Sequence, residues 1–179
     1  MTLLALTNAD CSSDIRALDI SGLQFTPEGV NFKHVNLRKT SKPGNLPDSF
    51  YASFPQNNNL CVVTTLKEYL ERTKDLRKDS HLIISFVRPH KPVSPPTIAR
   101  WMLIIMKDAG INTETFKAHS TRSASTTAAT VKGLSFEEIQ KCANWTNKST
   151  FQKFYYRPRH SSAFSSAVLS HHTGRLVVY

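Results

Sequence analysis

The sequence predicts a mainly α-helical protein with a small antiparallel β-sheet near its front, an α+β arrangement. Three observations predict it. Apolar residues recur at helical spacing in several stretches between residues 62 and 143. Extended segments separated by turn residues are confined to residues 23–55. The length of 179 residues suits one domain with a real core and is short for two.

Taken in order, residues 2–18 carry Leu3, Leu4, Leu6, Ile15 and Leu18, interrupted by the polar cluster Asn8 to Asp14. Two short helices joined by a turn follow, with Ser12 or Ser13 as the expected N-cap of the second. From Leu23 to Pro55 the pattern reads LQFT, PEG, VNFKHVNLRKT, SKPG and a run ending SFYASFP, so about three antiparallel strands are expected. The second turn gathers Arg38, Lys39 and Lys42 around a Pro-Gly pair.

After the polar PQNNN, residues 62–78 place Leu66, Tyr69, Leu70 and Leu76 on one helical face and charges on the other. HLIISFV has the length and apolar continuity of a buried strand, and RPHKPVSPP, with four prolines, is expected to be irregular. TIARWMLIIMKDA then reads as an apolar helix ended by Gly110, with Trp101, Met102 and Met106 in the core. Neither internal repeats nor low-complexity segments occur.

Lys and Arg number 23 against 13 Asp and Glu, a formal charge of +10 that points to a polyanionic partner. Three widely spaced cysteines, Cys11, Cys61 and Cys142, fit neither a disulfide framework nor paired zinc ligands. No apolar run approaches the roughly 20 residues of a membrane span, and the start lacks the pattern of a secretion signal. A soluble cytosolic or nuclear protein is expected.

The chemistry concentrates in residues 117–159, expected to form three short helices. His119 and Arg122 are three apart, ~60° around a helix, so both can reach one target. Gly133 would stop that helix, and Ser135 with Glu138 reads as a capping box for the next. Trp145 follows, and then a third helix from about Asn147 with Phe151, Phe154, Tyr155 and Tyr156. Taken singly, an HxxR pair is most often a polar helix end, and an aromatic run is most often core.

In combination, AHSTRSAS followed by NWTNKSTFQKFYYRP resembles the tyrosine recombinase family, whose signature is HxxR, then His or Trp, then a nucleophilic Tyr nine or ten residues on. The phrasing is most similar to recombinases carried by DIRS-type retrotransposons. The resemblance extends over about 150 residues in consistent order. It implies the catalytic-domain fold of the DNA breaking-rejoining enzymes, and a single catalytic domain over residues 1–179 with 160–179 as a C-terminal tail. The helical core-binding domain that precedes it in the family is expected to be absent.

The resemblance implies a site made of Tyr155, Arg122, His119, Trp145 and Lys39, with Tyr156 the alternative nucleophile and Lys42 the alternative lysine. Arg38, Lys42, Lys117 and Arg157 would touch DNA. Attack on a phosphodiester adds negative charge to its non-bridging oxygens, which a permanently protonated Arg stabilises. Trp145 could donate its indole N–H to the same oxygens. A Tyr hydroxyl with a pKa of ~10 needs a base or a positive field, and Lys39 would protonate the leaving 5′ oxygen. Neither a metal nor another cofactor is implied; the implied partner is double-stranded DNA, bound by a homo-oligomer, in the nucleus.

One departure matters. The family takes a second arginine from a phrase like TxAxRxSDLxAL; this chain reads TNADCSSDIRALDI, which puts Cys11 at that arginine. Arg16 lies five residues on, ~140° round a helix. A thiol cannot replace a bidentate guanidinium on phosphate, so a loss on the order of 10²–10³ in rate is expected. The chain therefore reads as an impaired recombinase, with a non-catalytic DNA-binding module derived from one as the alternative and a topoisomerase-like role as the third reading.

Overall fold

The computed structural model describes residues 1–34, 48–143 and 145. The described elements are α1 (Thr2–Thr7), α2 (Ser12–Arg16), β1 (Leu23–Phe25), β2 (Gly29–Phe32), β3 (Ser49–Ala52), α3 (Val62–Thr73), α4 (Pro95–Asp108), α5 (Ser120–Val131) and α6 (Phe136–Cys142). The class is the one expected, mainly helical with one three-stranded antiparallel sheet in the order β1-β2-β3.

Alternation sets the sheet register. Val30 pairs with Tyr51 and Phe32 with Ser49, so the buried residues of β2 and β3 share one face while Phe50 and Ala52 turn outward. Phe32 meets Tyr51 edge-on, with ring centroids 5.8 Å apart, the geometry that the aromatic quadrupole favours. Gly29 heads β2 because a Cβ there would lie 2.3 Å from the Tyr51 carbonyl oxygen.

Helices close the core around this face. Ile98, Met102 and Met106 recur every four residues along α4 and are buried, as are Val62, Val63 and Leu66 of α3. α2 packs on α4 and α1 on α5, which carries the start of the chain to the helix holding His119 and Arg122. Small residues make that approach easy, since α5 is built largely of Ser, Thr and Ala.

The stop signals behave as expected. Gly110 and Gly133 take φ of +76° and +91° just past α4 and α5, a region in which side chains are strained. Ser135 and Glu138 form the capping box of α6, with Glu138 accepting from the Ser135 N–H at 2.8 Å.

Three local expectations are corrected. HLIISFV is not a strand; it makes only the isolated bridges Asp19↔His81 and Ile84↔Pro92. Its backbone bonds to the Leu18 carbonyl, the Tyr69 hydroxyl, the Lys91 carbonyl and the Val93 N–H, and among the described residues these pairings do not extend into a ladder. Pro95 and Pro96 are not in irregular chain but open α4, where a missing N–H costs nothing. Cys11, not Ser12 or Ser13, occupies the N-cap of α2, where Asp14 accepts its N–H at 3.0 Å.

Candidate functional site

The loop from Asn8 to Cys11 is pinned inside the protein. Asn8, Ala9 and Asp10 are all buried, and Ala9 turns through a positive φ of 51°. The hydroxyl of Tyr51, on the buried face of the sheet, donates to the Asp10 carboxylate. This anchor fixes where Cys11 and the first turn of α2 begin.

Arg122 projects from the first turn of α5 into the same region and is only 7% exposed. Its Nη1 donates to Asp14 Oδ2 at 3.2 Å, and its Nη2 donates to the Ala143 carbonyl at the end of α6. The Trp145 ring lies against the guanidinium, with its centroid 5.1 Å away, a favourable cation–π distance. Trp145 is itself held by reciprocal bonds with Gln140: its N–H donates to the Gln140 carbonyl at 3.1 Å and its carbonyl accepts from the Gln140 side chain at 2.8 Å.

The fold thus brings together residues 11–14, Arg122 and the segment around Trp145. His119 stands at the N-cap of α5, one turn before Arg122. Its ring stays partly open to solvent, yet partial burial and then the Arg122 charge hold its pKa below the usual imidazole value, against the opposing pull of Asp14. It is therefore neutral at pH 7 and able to accept a proton. Lys117 is exposed nearby and donates through Nζ to the Thr113 carbonyl at 2.9 Å.

Burial first, and then the charge of Asp14, push the Cys11 thiol above its ordinary pKa, so it stays protonated and neutral. Cys11 is therefore beside the arginine and carboxylate but adds no charge. Sequence reasoning missed Asp14, the carboxylate that bridges the Cys11 N–H and Arg122. Its position three residues after a helix cap was the available signal. It also missed the Tyr51–Asp10 anchor, for which no local pattern exists.

Lys39, Arg38, Lys42, Tyr155, Tyr156, Arg157 and the tail 160–179 lie outside the described residues. Among the described residues, no group of three or more His, Cys, Asp and Glu could hold a metal ion, and no helix is long and apolar enough to cross a membrane.

Comparison with known proteins places this geometry in context. The sequence matches the model of the phage integrase family over residues 13–161. No curated protein matches it in sequence. Among solved structures, the crystal structure of XerA recombinase is similar with a TM-score of 0.66 at 19% identity, covering 97% of this chain and 57% of that one. The XerH site-specific recombinase bound to a palindromic difH substrate gives 0.67 at 13% identity, covering 95% of this chain and 44% of that one. The Tn1549 transposon integrase in complex with transposon right end DNA gives 0.65 at 14% identity, covering 97% and 58%. The chain thus spans about half the length of the recombinases whose fold it shares.

Proposed function

Because the chain belongs to the phage integrase family, we propose that it is the catalytic domain of a site-specific tyrosine recombinase that cuts and rejoins duplex DNA through a 3′-phosphotyrosyl intermediate. The observation that carries this reading is the convergence of Arg122, His119 and Trp145 with the Cys11–Asp14 turn at one place in the fold.

In this mechanism the Tyr155 hydroxyl oxygen attacks phosphorus, and the bond to the 5′ oxygen breaks. His119, neutral at pH 7, takes the phenolic proton, and Lys39 gives one to the leaving oxygen. Arg122 stabilises the charge added to the non-bridging oxygens, and Trp145 orients Arg122 by covering its face. Rejoining is the same sequence in reverse. The roles of Tyr155 and Lys39, of Arg38, Lys42, Lys117 and Arg157 as DNA contacts, and of residues 160–179 as a tail rest on the family signature and on the net charge of +10.

The phrasing around Tyr155 supports an origin in a DIRS-type mobile element, which implies a nuclear protein working as an oligomer on DNA. Cys11 supports an activity well below that of an enzyme carrying two arginines. A nicked suicide DNA duplex tests the proposal: a covalent protein–DNA adduct should form and be lost in Tyr155→Phe. An adduct unchanged in that variant transfers the nucleophile to Tyr156.

A second reading, a DNA-binding module without catalysis, is favoured by the neutral Cys11 thiol and by the engagement of Arg122 with Asp14. It predicts DNA binding that falls steeply with salt and no adduct even in Cys11→Arg.

A further inference from the structure

Trp145 stands two residues beyond Ala143, the C-cap of α6, where the helix itself no longer dictates the chain. Gln140 holds it from both sides. The Gln140 carbonyl accepts from the Trp145 N–H at 3.1 Å, and the Gln140 side chain donates through Nε2 to the Trp145 carbonyl at 2.8 Å. With the peptide groups on either side of Trp145 tied to one residue, the direction of its Cα–Cβ bond is set. The ring keeps only its side-chain torsions, and it lies 5.1 Å from the guanidinium carbon of Arg122.

The base of this clamp is firm. Ile139, next to Gln140, is only 3% exposed, and α6 packs on α5, the helix that carries Arg122. The Gln140 amide is half-buried, which strengthens the bond it makes relative to one in water. We propose that Gln140 is a positioning residue, whose side-chain amide clamps the Trp145 backbone and so sets the ring and indole N–H of Trp145 against Arg122. It touches no reacting atom and acts through Trp145. The inference rests on the recombinase reading for the reaction it serves, but not for the placement of the ring. A side chain that only completed the end of α6 would contribute stability and leave the ring where it is; a positioning residue moves the ring when it is lost.

The test uses the full chain labelled with 5-fluorotryptophan, in which Trp101 and Trp145, the two tryptophans, give two fluorine resonances. Loss of one in Trp145→Phe assigns them. Gln140→Met keeps the length of the side chain and removes its donor, and Gln140→Lys returns an N–H donor of similar reach. Gln140→Met should move the Trp145 resonance and leave that of Trp101 in place, and Gln140→Lys should return it toward the parent position. The rate of adduct formation on the nicked suicide duplex, measured at saturating DNA, should fall about 2- to 10-fold in Gln140→Met and recover in Gln140→Lys. Affinity of Gln140→Met for the duplex should stay at the parent value, since no charge is removed. Absence of an adduct in the parent, with a resonance that moves and returns, would uphold the placement and sink the recombinase reading. A Trp145 resonance unmoved in Gln140→Met, a moved resonance with an unchanged rate, or a loss of rate that Gln140→Lys does not restore overturns the inference.

Discussion

Tyr51, on the buried face of the sheet, donates its hydroxyl hydrogen to the carboxylate of Asp10, 41 residues earlier in the chain. Both residues are essentially excluded from solvent, at 1% and 3% exposure. Removing that donor in Tyr51→Phe leaves a buried carboxylate one hydrogen bond short, which should cost about 1–3 kcal/mol. Denaturant unfolding measures this. A variant as stable as the parent would mean that the loop is held elsewhere.

Cys11 follows Asp10 directly and sits beside Asp14 and Arg122. Cys11→Arg should raise adduct yield on the suicide substrate by on the order of 10²-fold. An unchanged yield would show that position 11 does not face the reacting phosphate.

His119 supplies a pH dependence. Its folded-state pKa lies below the ordinary 6.5, chiefly through partial burial and then the Arg122 charge. Below pH 6.5 the unfolded chain therefore binds this proton more readily than the folded one. The associated stability is complete above pH 6.5 and is lost as pH falls through the lower folded value. Imidazole resonances should titrate with a midpoint below 6.5, and His119→Gln should lose less stability than the parent between pH 7.5 and 5.5. A midpoint at or above 6.5 contradicts the environment described for the ring.

Met102 tests the core that positions α2. It is 1% exposed on α4, the helix against which α2 packs. Met102→Ala should destabilise by about 2–5 kcal/mol through the cavity it leaves. Thermal unfolding reads the loss, and a shift near zero would place this residue outside the shared core.

Local signals made much of this protein legible. The capping box at Ser135 and Glu138, the glycines ending α4 and α5, and the alternation that sets β2 against β3 each depend on residues close in sequence. They appear where expected for that reason. HLIISFV departs from the strand expected of it because apolar continuity reports burial, whereas a strand also requires consecutive pairs, and this segment makes single bridges among the described residues.

The sequence by itself determined the helical class, the small sheet, the HxxR pair and the neutral residue at position 11, since all are fixed by residue type and short spacing. The tertiary structure alone decided that Asp14 meets Arg122, 108 residues away, and that Tyr51 holds Asp10. Those contacts depend on α1 packing on α5 and on the Tyr51 side chain of β3 reaching the loop before α2. No local pattern encodes which buried charge will find which partner; burial leaves each polar group needing one, and the fold determines which is within reach.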